Sequence, residues 1–298
     1  MQNTSIATVV VTYNRIDKLM QCISALQSQT YNDFDILIID NASTDGTAER
    51  IKPLADEGIV NYYNTGANLG GAGGFNFGMK KAVEAGYGYV WIMDDDCYPE
   101  PDALAALADA DRELEGNYGF LSGIAYFSDG TPCNMNIQKT GIKSKIEDYT
   151  SPLVPVIMAT FVSAFFKADT IRKYGLPIKD FFIWADDLEY TRRISRRETC
   201  YAVTKCRALH DMHSNAKVGI ENDAPDRLSR YSYLYRNEVY VYRREGFSGF
   251  VYLFLRAALH TFKALTCGKQ PFKRAKIILK SFISGWSFKP QIEFIEQG

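Results

Sequence analysis

Three consecutive aspartates, Asp94, Asp95 and Asp96, close the stretch YVWIMDDD at residues 89–96. Adjacent carboxylates repel one another, so stability alone gives no reason to gather them where an apolar strand ends. Carboxylates at i and i+2 beyond a strand can hold a hard divalent cation between themselves and a diphosphate. Asp96 is expected as the main carboxylate on such a metal. Asp94 is expected on the metal or on a ribose hydroxyl, and Asp95 on the nucleotide side.

A second acidic group lies in FFIWADDLEYTRR, residues 181–193, where Asp186, Asp187 and Glu189 open a predicted helix. The helix dipole favours acids in a first turn whatever their use. Their chemical reading is a general base that removes a proton from an acceptor hydroxyl. Asp187 is preferred for that role, with Asp186 as the alternative. Trp184 is expected to stack on a sugar face and Glu189 to serve the acceptor. ALHDMH, residues 208–213, holds two of the three histidines, and His210 ahead of His213 is the expected further metal ligand.

Three other stretches complete the set. The loops after VVVT and IIDN can wrap a nucleobase: Thr12 and Tyr13 supply a wall, Asn14 and Arg15 follow, and Asp40 accepts from a base N–H. NTGANLGGAGGFNFGM, residues 64–79, carries five glycines between Gly66 and Gly74. Glycine allows close backbone approach, and a helix start favours a diphosphate, so Asn68, Gly70 and Gly71 are assigned to the donor. This is not the dinucleotide fingerprint, because it follows the third strand rather than the first.

These residues need elements to position them. Apolar runs at 6–12, 34–40, 59–64 and 89–93 read as strands, alternating with helical patterns at 16–29, from an N-cap at Ser43 or Thr44, and at 73–86. That alternation predicts a mostly parallel sheet covered on both faces, with ligands outside the carboxyl ends of the strands. After residue 118, YGFLSGIAYF, CNMNIQKTG and VPVIMATFVSAFF read as strands of a mixed extension, followed by a helix at 185–197 and a strand at 199–205. Residues 228–285 read as helices. The expected division is a catalytic part at 1–226, split near 115 into donor and acceptor halves, and a helical extension at 227–298.

The net charge of −1 hides an asymmetry. Residues 1–226 carry 21 Lys and Arg against 31 Asp and Glu, while residues 227–298 carry 13 against 4. Basic, aromatic and aliphatic residues at helical spacing read as a face for anionic lipid or, by the same apolar surface, for a second copy. Nucleic acid is disfavoured, because no recognised binding module accompanies the charge. Six scattered cysteines without a CxxC pair, and a start without a basic n-region, point to reduced thiols in a cytoplasmic protein. No run reaches about 18 uninterrupted apolar residues, the length that marks a membrane span.

Taken together, VVVTYNR, IIDNASTDGT, NLGGAGGFNFGM, MDDD, WADDLEY and the late histidine resemble the family 2 glycosyltransferases of the GT-A fold over roughly residues 5–245. Within that family they are most similar to galactofuranosyltransferases. Rhamnosyltransferases are near neighbours, which share a segment like YLYRN at 233–237. The resemblance implies an inverting transfer from a UDP- or dTDP-sugar, UDP-galactofuranose being favoured, with Mn2+ or Mg2+ and a single base. It also implies a glycan or glycolipid acceptor. Carried over by residue, Asp94 and Asp96 match the DxD pair, Asp187 the base and His210 the metal histidine; the extra Ala185 in WADD leaves Asp186 open. Two rivals of other classes are a nucleotidyltransferase and a non-catalytic sugar-binding module. The first usually has an early glycine-rich loop with a basic residue, where this chain reads TYNRIDKL.

Overall fold

The computed structural model describes residues 5–216, 219–267 and 269–295. Four parallel strands build one half of the sheet: β1 (Ile6–Thr12), β2 (Phe34–Asp40), β3 (Asn61–Asn64) and β4 (Tyr89–Asp94). Their β-branched and aliphatic residues face both sides, which suits strands covered twice. Val10, Ile38, Trp91 and Met93 pack under α1 (Ile16–Gln27) and α4 (Ala103–Glu113). The alternate residues Val9, Leu37, Ile39, Val90 and Ile92 pack under α3 (Gly70–Glu84), α5 (Ala168–Tyr174) and α6 (Asp186–Ser195). The remaining helix of this half, α2 (Thr47–Asp56), follows β2.

The other half is mixed. β5 (Cys97–Pro99), β6 (Leu121–Tyr126), β7 (Leu153–Val156), β8 (Ala164–Lys167) and β9 (Cys200–His210) extend the order to β3-β2-β1-β4-β8-β6-β9-β5, with β7 also paired to β9. Register puts Thr12 beside Asp40, Asp40 beside Asn64 and Val11 beside Asp94, so the expected site residues share one carboxyl-end edge. Antiparallel pairing of β5 with β9 sets Cys97 opposite His210. That pairing delivers the late histidine to the aspartate turn from more than a hundred residues away.

Several expected boundaries change. CNMNIQKTG forms no strand; Lys139 makes only isolated bridges to Lys145 and Met158. VPVIMATFVSAFF divides into β7 and β8, because the chain leaves its pairing with β9 and enters the sheet interior between β4 and β6. The 199–205 strand runs on to His210, and α2 starts at Thr47, with Asp45 Oδ1 accepting from the Thr47 hydroxyl at 2.6 Å, rather than at Ser43 or Thr44.

The largest difference concerns the glycine-rich stretch. From Gly70 onward it is the first turns of α3 itself, and of its glycines only Gly66 lies in the loop before the helix. A Cβ at Gly74 would sit 2.5 Å from Val11 Cγ1, and one at Gly78 2.4 Å from Val9 Cγ1, so these glycines let the helix lie close on the sheet. Gly71, by contrast, faces open space.

The extension is α7 (Tyr231–Tyr242), α8 (Gly246–Cys267) and α9 (Pro271–Ser287). It packs on the body: Tyr240 and Val241 join Ala72, Phe181 and Ala185 in one buried cluster. Glu245, almost fully buried, pairs with Arg192 and Arg196 of the α6 region at 2.9 and 2.5 Å. Among the described residues no helix is long and apolar enough to cross a membrane. All six cysteines are free, five of them buried. If the glycines serve helix–sheet packing, Gly78→Ala should cost about 1–3 kcal/mol by overpacking, measurable as a lower urea midpoint with an unchanged m value.

Candidate active site

The aspartate turn is held by cations. Thr12 Oγ1 donates to Asp95 Oδ2 at 2.7 Å, and Arg15 Nη1 bridges Asp95 Oδ1 at 3.2 Å and Asp96 Oδ2 at 2.7 Å. Lys18 Nζ lies 3.8 Å from Asp96 and 3.2 Å from Asp211. His210 Nε2 faces Asp96 Oδ1 at 3.3 Å. His210 Nδ1 lies 3.0 Å from Asn136 Oδ1, and Asn136 donates its own amide to Thr160. The amide oxygen fixes Nδ1 as the N–H and turns Nε2 toward the carboxylate.

Environment separates the three acids. Burial, then the charge of Asp96, pushes Asp94 up to about 7. Burial raises Asp95 to about 6 against the opposing pull of Arg15. Burial also works against Asp96, yet the hydrogen bond and charge of His210, with Arg15 and Lys18, hold it below the usual carboxylate range. Burial opposes protonation of His210 too, and the bond to Asp96 outweighs it, raising the imidazole to about 9. At neutral pH Asp96 and His210 are therefore an ion pair.

The second acidic group shares this low-dielectric edge. Asp186 is held well above its ordinary range by burial first, then by Asp187, with a further contribution from Asp94. Asp187, half-buried, is raised to about 6 by burial, against the Leu188 N–H at 2.7 Å and the charge of Lys139. The loop before them touches the donor side, since the Ala72 N–H donates to Phe182 O at 3.2 Å.

Other expected residues find protein partners. Asp40 is fully buried, and its oxygens accept from Ser43 N at 2.8 Å and Tyr62 OH at 2.6 Å; it organises the β2 loop instead of presenting a free acceptor. Thr12 is likewise buried on Asp95, leaving Tyr13, 42% exposed, as the open wall. Asn14 ties the two loops together through its side-chain oxygen and the Thr44 N–H at 2.7 Å. Asn68 Oδ1 accepts from Gly70 N at 2.9 Å, an Asx turn that starts α3. Glu189, expected on the acceptor side, is closed in a buried pair with Arg193 at 2.6 Å. Trp184 is half-buried and packs edge-on against Tyr231 at 5.0 Å between ring centroids. His213 is exposed.

Among the described residues no three His, Cys, Asp or Glu side chains converge as a metal group. The charges of Asp96 and His210 both act on Asp94, while Arg15 and Lys18 lie against Asp96. Once Nε2 gives up its proton, the Asp96–His210 pair fits a cation, since one carboxylate and one oriented imidazole are a donor set that suits Mn2+.

The family model for "Glycosyl transferase family 2" matches residues 7–172. The chain belongs to that family. Among curated family relatives it is 27% identical over 253 residues to galactofuranosyltransferase GlfT1 of Mycobacterium tuberculosis, covering 81% of this chain and 83% of that one. The Mycolicibacterium smegmatis GlfT1 is 24% identical over 257 residues, covering 81% and 84%. Two solved structures show the same GT-A fold. GalNAc-T7 with UDP, GalNAc and Mn2+ superimposes with TM-score 0.66 at 14% identity, over 96% of this chain and 56% of that one. S. aureus TarS in complex with UDP gives 0.54 at 15%, over 96% and 72%. A family 2 glycosyltransferase replaces the nucleotidyltransferase reading.

Reasoning from sequence missed Lys18, Asn136 and Lys139, which carried no motif signal, and Asn237, which lies inside the noted YLYRN segment. Glu189→Gln should leave buried Arg193 unpaired and cost about 3–5 kcal/mol. The acceptor KM should stay at its wild-type value; a raised KM with unchanged stability would return Glu189 to the acceptor site.

Proposed function

We propose that the chain is an inverting transferase that moves galactofuranose from UDP-galactofuranose to a hydroxyl of a lipid-linked surface glycan. The observation that carries this reading is geometric: β4 ends in the aspartates at the carboxyl edge of the parallel strands, and the loop that leads into Asp186 and Asp187 is bonded to the first turn of α3 through Ala72 N and Phe182 O at 3.2 Å. The donor choice rests on the relatives named galactofuranosyltransferase, which match over most of both chains.

Asp187 is the base. It is more accessible than Asp186, which is only 7% exposed and whose proton affinity is raised by burial and by the charge of Asp187. As the acceptor oxygen bonds to the anomeric carbon, its proton passes to Asp187 and the bond to the UDP oxygen breaks from the opposite face. The leaving diphosphate takes the electron pair. Arg15 and Lys18 lie at the aspartate turn, where they can neutralise that charge. A divalent cation held by Asp96 and His210 would supply Lewis-acid stabilisation at the same diphosphate. Tyr13 flanks the nucleobase of the donor, and Trp184 borders the acceptor side.

A raised carboxylate is a working base only above its own pKa. Transfer should therefore rise with pH through an inflection near 6 and be lost below it, following Asp187. Asp187→Asn should abolish transfer at every pH while UDP still binds. The donor test offers UDP-galactofuranose, UDP-galactopyranose, UDP-glucose and dTDP-rhamnose and weighs the products. A rhamnosyl product alone would replace the galactofuranose assignment.

The extension is proposed as the lipid-facing part. Phe247 (84% exposed), Phe272 (82%) and Ile283 (68%) stand out on α8 and α9. The surrounding 227–298 segment carries nine more positive than negative charges. Apolar tips among basic residues suit an anionic bilayer surface. In flotation with vesicles of phosphatidylcholine, with and without phosphatidylglycerol, binding should require the anionic lipid. It should weaken when Phe247 and Phe272 are both changed to Ser, and equal flotation with neutral vesicles would dismiss the charge argument.

A further inference from the structure

Asn237 on α7 has no exposed surface at all, yet every hydrogen of its amide is used on one short loop. Its Nδ2 donates to the carbonyls of Phe181 at 3.0 Å, Ile183 at 3.2 Å and Trp184 at 2.9 Å. Its Oδ1 accepts from Arg236 Nε at 3.0 Å, and Arg236 Nη2 donates to Asp180 O at 2.7 Å and Phe181 O at 3.3 Å. From Asp180 to Trp184 these bonds omit only the Phe182 carbonyl, which accepts from Ala72 N on α3. The loop is thus clamped between α7 and the first turn of α3.

The same loop is held in unusual backbone. Phe182, Trp184 and Ala185 have φ of 64°, 67° and 65°, left-handed values that side chains with a Cβ avoid. Such residues persist only where the surroundings over-determine them. Ala185 is the N-cap of α6, so this strained turn sets where the helix begins and where Asp186 and Asp187 project. Gly70 makes room for it, since a Cβ there would lie 2.1 Å from Phe182 O. A satisfied buried amide alone would explain the hydrogen bonds. It would not explain why all of them converge on the strained turn before the two acids.

We propose that Asn237 is a positioning residue for transfer, holding the 181–185 turn so that the carboxylate of Asp187 is aimed at the acceptor hydroxyl. This makes α7 part of the catalytic assembly and rests on Asp187 being the base. Asn237 touches neither substrate nor reacting atoms, so its loss should appear in kcat and not in donor binding.

The test is Asn237→Asp in the full chain. The change is isosteric but replaces the amide donors with a carboxylate that faces three carbonyl oxygens. A misplaced base should lower kcat by about 100-fold, with the donor KM and the UDP dissociation constant unchanged. Asn237→Ser, smaller and still a donor, should show a weaker loss of the same kind and serves if the aspartate variant does not fold. A lowered thermal midpoint with kcat within about threefold of wild type would leave Asn237 a structural residue and overturn the proposal. Asp187→Asn, assayed in parallel, separates the two readings. If that variant still transfers, the base assignment has failed; if it is dead while both Asn237 variants keep kcat, only the positioning role has failed.

Discussion

Gathering negative charge at the end of β4 is the constraint around which this molecule is arranged. Asp94, Asp95 and Asp96 stand together where water is scarce, and each would neutralise itself by taking a proton unless a cation kept it ionised. Arg15 and His210 meet that need for Asp96, and Thr12 with Arg15 meets part of it for Asp95. Among the described residues Asp94 has no such direct partner, and it is pushed up to about 7. The three acids therefore differ in proton affinity although they are neighbours in the chain.

Delivering those partners explains much of the topology. Arg15 and Lys18 come from the start of α1, directly after β1, which lies beside β4. His210 arrives on the last residue of β9, brought to the turn by the short β5 that pairs with it. Asn136, from the irregular segment between β6 and β7, sets the imidazole tautomer. A mixed sheet can do this because β9 runs antiparallel to β5 at its end while remaining parallel to β6.

The extension is tied to this arrangement rather than appended to it. α7 supplies Asn237 and Arg236 to the loop carbonyls, and Glu245 anchors the side of α6 remote from its strained start. Near the C-terminal end, Glu293 O accepts from Leu176 N at 2.8 Å and its carboxylate pairs with Lys80 at 2.7 Å, closing the chain back on the catalytic body. Helices that look separable by composition thus share buried surface with the parts that carry the acids.

The first hundred residues were legible in the sequence because their signals are local. Continuous β-branched runs such as IATVVVT can only be strands buried on both faces, and the aspartates after YVWIM follow from where such a sheet binds ligands. What the tertiary structure alone decided was pairing. Asp40, Thr12 and Glu189 are the right residue types for ligand contact, but Tyr62, Asp95 and Arg193 occupy them, partners that chain spacing does not reveal. The glycines of α3 similarly answer to Val9, Val11 and the Phe182 carbonyl. The reason is physical: residue type limits which interactions a side chain can make, whereas burial and proximity across many residues determine which of them it makes.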